Sequence, residues 1–187
     1  MDISYIVALF VVAALLLVFL IITYNRLVKL RNRVQNAWSD VDVQLKRRHD
    51  LVPNLVETVR GYMGHERQTL EAVTSARSQA MTAGASIAAR AIAETALTGA
   101  VGNLFAKVES YPALRAAQNF TLLQEQLTST ENRIAFARQY YNESVMQYNT
   151  AVATFPRNLV AGLLGFSAAT MFAAEAADRS NVAVKTS

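Results

Sequence analysis

Eighteen consecutive apolar residues, Tyr5 to Ile22, constrain this chain more than any other feature. No charge interrupts the stretch from Ile3 to Asn25. Leu, Val, Ile and Phe fall on every side of a helical wheel, so the segment has no polar face to turn toward water. At about 1.5 Å per residue, roughly 20 residues cross a ~30 Å hydrocarbon core. A cleavable signal peptide would call for a basic start, a shorter apolar run and a small-x-small cleavage site. Here the chain starts Met1-Asp2, and the run ends in Thr23-Tyr24-Asn25-Arg26 with no Ala-x-Ala. An uncleaved transmembrane anchor is therefore expected over residues 1–25. Tyr5 and Tyr24 sit at its two ends, where amphipathic rings favour the headgroup layer.

The flanking charge sets an expected orientation. Asp2 is the one charged side chain before the span, whereas Arg26, Lys29, Arg31 and Arg33 follow it with no acid among them. The positive-inside rule puts residues 26–187 in the cytoplasm and the short N-terminus outside. The four basic residues are expected to face anionic lipid headgroups. Residues 26–50 hold seven Lys/Arg against three Asp, while 51–187 hold eleven against ten acids. The net positive charge is thus mostly juxtamembrane. With no aromatic interleaving for base stacking, lipid rather than nucleic acid is the expected anion.

The body after residue 25 reads as helix. Seven Gly and three Pro are too few for the turns of a sandwich or barrel, and Ala, Leu, Gln, Arg and Glu abound. Leu27, Leu30, Val34, Trp38, Val41, Leu45, Val52, Leu55, Val59 and Tyr62 recur at three- and four-residue steps, with one gap of seven after Leu45. Pro53 cannot donate to the His49 carbonyl, so a kink or restart is expected there, with Asp50 as a cap. Residues 80–104 are Ala-rich with three Gly, and predict a loop followed by a short, loosely specified helix.

Beyond Pro112 comes the most regular segment. Phe120, Leu123, Leu127, Thr130, Ile134, Ala137, Tyr141, Val145, Tyr148, Val152 and Phe155 form a near-heptad stripe that Pro156 ends. A helix this long needs a partner along its seam. The expected fold is all-α: an N-terminal transmembrane helix followed by an elongated antiparallel three- or four-helix bundle. Its core is expected to include Trp38, Leu45, Leu123, Leu127, Ile134, Tyr141 and Tyr148.

The sequence offers no enzyme template. It has no Cys, which excludes disulfides, thiolate nucleophiles and Cys-ligated metals. It has no phosphate-binding Gly-rich loop and no Gly-x-Ser-x-Gly. His65-Glu66 lacks the second His of a zinc helix, and no Glu-x-x-His pair exists for a di-iron bundle. His49, between Arg48 and Asp50, reads as a surface residue. No catalytic residue, cofactor or metal site is expected. One polar pattern stands out: Glu131, Arg138, Asn142 and Asn149 recur by seven, four and seven, so they share a face. That face reads either as solvated surface or as a buried or inter-subunit polar ladder that fixes register.

Several strings are jointly specific. Tyr24-Asn-Arg-Leu-Val-Lys-Leu-Arg-Asn-Arg33 follows the span; Trp38, Gln44-Leu-Lys-Arg-Arg48 and Asp50-Leu-Val-Pro-Asn-Leu-Val56 come next. Tyr111-Pro112, Thr130-Glu-Asn-Arg-Ile134, Ala137-Arg-Gln-Tyr-Tyr-Asn142, Tyr148-Asn149, Phe155-Pro156 and Gly165-Phe166 complete the series. In this order and spacing they resemble the LemA family of bacterial membrane proteins, over about residues 1–172. The resemblance implies one N-terminal span and an antiparallel helical bundle. Family members are associated with envelope or membrane functions, and one branch with biogenesis of magnetosome membranes. Nothing is carried over for residues 83–101 or for the tail after 172. The expected organisation is an anchor over 1–25, a LemA-like cytoplasmic bundle over 26–172 and a flexible tail over 173–187. The expected function is a non-enzymatic scaffold that self-associates as a homo-oligomer at the bacterial inner membrane, in membrane organisation or envelope homeostasis. The alternative is an adaptor presenting a helical groove to another envelope protein, such as a membrane protease or stress factor.

Overall fold

The structure, a computed structural model, describes residues 3–84 and 86–172. The tail expected over 173–187 lies outside the described residues. Among those described there are six helices and no strand: α1 (Ile3–Arg60), α2 (Arg67–Thr82), α3 (Ile87–Val108), α4 (Pro112–Arg115), α5 (Gln118–Ala153) and α6 (Arg157–Leu163). The chain divides into two compact units, both of which draw on α1 and α5.

The first unit takes the α1 segment up to Ser39, the α5 segment from Gln139, and α6 with the chain that follows to Thr170. The N-terminal part of α1 is long and apolar enough to cross a membrane. Its side chains stand almost wholly exposed, Leu15 at 65%, which is unlike the core helix of a water-soluble protein. Burial of α1 begins at Thr23 and continues through Leu27, Val34 and Ala37. Also buried in this unit are Tyr141, Val145, Tyr148 and Ala151 of α5 and Val160 and Ala161 of α6. Arg33 meets Gln147, while Trp38 meets Tyr141, so the two helix segments run antiparallel. The Trp38 and Tyr141 rings pack edge to face, 5.4 Å between centroids, an arrangement worth about 0.5–1.5 kcal/mol beyond the area it buries.

The second unit takes α1 from Asp40, all of α2, α3 and α4, and α5 as far as Arg138, together with Met171 and Phe172. It is an up-down-up-down four-helix bundle. Its core is built from Val52, Leu55, Val56 and Val59 of α1, Leu70 and Val73 of α2, Leu97, Val101, Leu104 and Val108 of α3, and Phe120 and Leu127 of α5. Along α2 and α3 these recur at three- and four-residue steps and along α5 at seven, the condition for one buried stripe.

Three expectations change here. Residues 80–104 do not form a loop and a short helix. α2 continues to Thr82 and α3 runs 22 residues from Ile87, with the Ser86 hydroxyl accepting a bond from the Ala89 N–H at its start. Alanine hid a real stripe, because Leu97, Val101, Leu104 and Val108 supply the bulk while small neighbours let the helices approach. Nor does α1 restart at Pro53. The carbonyl that proline leaves without its helical donor, that of His49, accepts a bond from Arg77 Nε of α2 at 2.7 Å. A side chain from the next helix thus replaces the missing backbone N–H. Finally, Tyr62 and Phe155, the outer ends of the two stripes, are exposed rather than buried. Each lies just past its helix, where the periodicity no longer sets direction.

Candidate functional site

In the second unit the gap of seven in the α1 stripe is filled by Arg48 and His49, both buried. The helical period carries those positions inward, so the chain places a guanidinium and an imidazole where a leucine would otherwise stand. The surface placement expected for His49 is therefore corrected. Arg48 Nη1 donates to Glu131 Oε1 and to the Thr98 hydroxyl, each at 2.7 Å. Nη2 donates to the Glu94 carboxylate and, at 3.3 Å, to the Glu94 carbonyl. His49 Nε2 approaches Glu94 Oε1 at 3.0 Å, near in distance but without the alignment of a good hydrogen bond. Asp42 and Arg90 pair on the same two helices.

Burial alone would raise the Glu94 carboxyl, and that is the largest single influence on it. The His49 contact and the charge and hydrogen bonds of Arg48 together outweigh it, so the group is held below its ordinary value of 4.5. Every named contact is internal to the unit. Arg48 and Glu94 are both buried at one level, so a one-turn slip of α3 would leave buried charge uncompensated. The cluster is suited to fixing helix register. Its residues do not line the large open cleft of about 750 Å³ beside Arg60, Arg67 and Glu71. Among the described residues, no three His, Asp or Glu converge as metal ligands.

In the first unit, α5 holds an extended segment against itself. Tyr148 donates its hydroxyl to the Ser167 carbonyl at 2.9 Å, and Tyr141 donates to the Thr170 carbonyl at 2.7 Å. Between them the Asn149 amide donates to the Ala169 carbonyl at 2.9 Å and accepts from its N–H at 2.8 Å. Burial pushes the Tyr141 hydroxyl up, which keeps it a neutral donor.

The residues singled out in the sequence thus fall into separate settings. Glu131 belongs to the Arg48 cluster and Asn149 to the tethered segment. The Arg138 guanidinium lies 4.5 Å over the Phe172 ring, and Asn142 is half-buried. Of the basic four, Arg26 and Lys29 are exposed, and Arg31 lies 5.4 Å over the Phe166 ring. Arg33 turns to α5, donating to the Tyr140 hydroxyl at 3.2 Å and Gln147 Oε1 at 3.1 Å. Leu45, Leu127, Ile134, Tyr141 and Tyr148 are fully buried, whereas Trp38 and Leu123 are half-buried. Arg48 and Glu94 were missed. The signal was present in the interrupted stripe of α1 and in Glu94 standing on the inward step between Ala91 and Leu97.

An all-helical body whose first helix is continuous with an exposed apolar span defines a membrane-anchored helical protein. The sequence matches the LemA family over residues 37–185, and the chain belongs to that family. It is similar to magnetosome protein MamQ 2 of Paramagnetospirillum magneticum, 27% identical over 178 residues, covering 82% of this chain and 65% of the relative. It is also similar to magnetosome protein MamQ of Magnetospirillum gryphiswaldense, 26% identical, covering 79% of this chain and 63% of that one. Protein LemA of Metamycoplasma hominis is 25% identical, with 84% of this chain and 72% of the relative covered. The chain thus spans less than two thirds of the length of these MamQ relatives.

Proposed function

We propose that this protein is a non-enzymatic scaffold, anchored in the bacterial inner membrane with its helical body in the cytoplasm, that self-associates to organise membrane or maintain the envelope. The positive charge after the span supports the orientation. The internal commitment of Arg48, Glu94 and Glu131 supports a structural role for the chain's most unusual polar groups.

The observation that carries self-association is the outer face of α5. Leu122 and Phe136 stand exposed two heptads apart, Phe136 at 72%, with Ser129 midway between them. That spacing is a short seam for a second helix. Between its ends runs an open cleft of about 520 Å³, lined by Glu125, Ser129, Asn132 and Arg133. Anchoring in one membrane raises the effective concentration of copies, so a modest seam suffices for assembly. The likeness to the MamQ relatives, which are named as magnetosome proteins, supports a role at membranes.

The test is the mass of the full chain purified in mild detergent. A homomeric assembly is expected, and Phe136→Asp should reduce it to monomers with helicity unchanged. A monomeric parent that co-purifies with one stoichiometric protein would instead favour an adaptor.

A further inference from the structure

α6 is a short helix with two characters. Val160 and Ala161 face inward, while Leu159 and Leu163 stand exposed on the other side, Leu163 at 80%. Phe155 before the helix and Leu164 after it are exposed too. One exposed leucine is ordinary; four large apolar side chains on ten residues form a patch that needs an occupant.

The position of α6 within its unit identifies that occupant. α6 closes with Gly165 at φ +72°, with the Phe166 N–H bonded to the Ala161 carbonyl at 2.9 Å. This glycine-dependent turn ends the helix sharply and delivers Phe166 onto α1. There the Phe166 ring meets Tyr24 edge to face, 6.0 Å between centroids, and carries Arg31 on it. Tyr24 lies two residues past Ile22, or about 3 Å along the helix, and the headgroup layer is roughly 5–7 Å deep on each side. Thr23, buried in an otherwise exposed stretch, is covered at this same level. The C-terminal end of α6 is thereby pinned where the hydrocarbon core gives way to headgroups.

We infer that α6 is a second membrane contact, lying in the interface of the same bilayer that α1 crosses, with Leu159, Leu163 and Leu164 in the acyl boundary. Apolar side chains flanked by Arg157 and Arg31 suit an anionic lipid surface, which takes basic amphipathic helices at this depth. The chain is then held by a span and by a hook folded back beside it. This rests on reading residues 3–25 as the span.

The native chain has no Cys, so single labels go in cleanly. Leu163→Cys, and separately Leu159→Cys, would carry the fluorophore NBD in full-length protein. The protein is reconstituted in phosphatidylethanolamine–phosphatidylglycerol vesicles, with Leu15→Cys marking the span. The expected result at both α6 positions is blue-shifted emission, quenched by lipid carrying a shallow doxyl group and shielded from aqueous iodide. Quenching by iodide would overturn the inference, because the face would be in water. Shielding from both quenchers would also overturn it, because protein would cover the face. A Leu15 label that escapes lipid carrying a deep doxyl group would overturn the span itself, and the hook with it.

Discussion

The Asn149 side chain brackets the backbone of Ala169, donating to its carbonyl at 2.9 Å and accepting from its N–H at 2.8 Å. One carboxamide thus serves an extended segment as a neighbouring strand would, with the Tyr148 and Tyr141 hydroxyls holding the chain on either side. Asn149→Ala removes both bonds from a half-buried site and should cost about 1–2 kcal/mol. A lower melting temperature of the full chain in detergent is expected, with the proposed assembly intact because these bonds are internal. Unchanged melting, or loss of the assembly alone, would contradict this assignment.

Arg48 is the residue whose loss should matter most to the second unit. Arg48→Met leaves the buried Glu94 carboxylate without its guanidinium, which typically costs about 3–5 kcal/mol. Arg48→Met with Glu94→Leu should recover most of that, since an apolar pair leaves no orphan charge in the core and Glu131 is partly exposed. Denaturant unfolding of the three proteins checks it. A double variant as unstable as Arg48→Met would point to packing rather than charge.

The depressed Glu94 carboxyl carries a pH signature. The folded state keeps it ionised where the unfolded chain, near the ordinary value of 4.5, would bind a proton. Its contribution to stability is therefore present above about pH 4.5 and is lost as pH falls through the lower folded-state value. Glu94→Gln should be less stable than the parent near neutrality, and the difference should shrink on acidification. A difference that stays constant with pH would remove the ion pair from the explanation.

The long apolar start of α1 was legible as an unbroken apolar run, and the two long helices with most of their buried stripe were legible from periodicity. Ile134 and Tyr141 fell inward because a repeat sustained along α5 leaves one face no alternative. α3 was not legible. Its alanines carry little hydrophobic signal, and its bulk residues define a stripe only when the other three helices are there to receive it. Arg48 was missed and His49 misread for a related reason. A polar pair looks like a break in an apolar pattern until Glu94 and Glu131, 46 and 83 residues away, arrive opposite it. The tethers from Tyr141, Tyr148 and Asn149 end on backbone atoms, which no side-chain pattern can announce.

Orientation can be read with single cysteines at Ser4 and Ser110, both exposed. In intact spheroplasts an impermeant thiol reagent should label Ser4→Cys and leave Ser110→Cys untouched until the membrane is opened. Replacing Arg26, Lys29, Arg31 and Arg33 with Gln should weaken that preference and the hold on anionic lipid. Labelling of Ser110→Cys in intact cells would reverse the topology.

Self-association through α5 has its most direct test at Ser129, midway along the Leu122–Phe136 seam. In a symmetric pair this residue faces its own counterpart whether the helices run parallel or antiparallel. Ser129→Cys in native membranes should therefore give a covalent dimer on mild oxidation, while Ser78→Cys, also exposed but on α2, should not. Absence of the dimer at Ser129, or equal cross-linking at both positions, would contradict a scaffold assembled along this face.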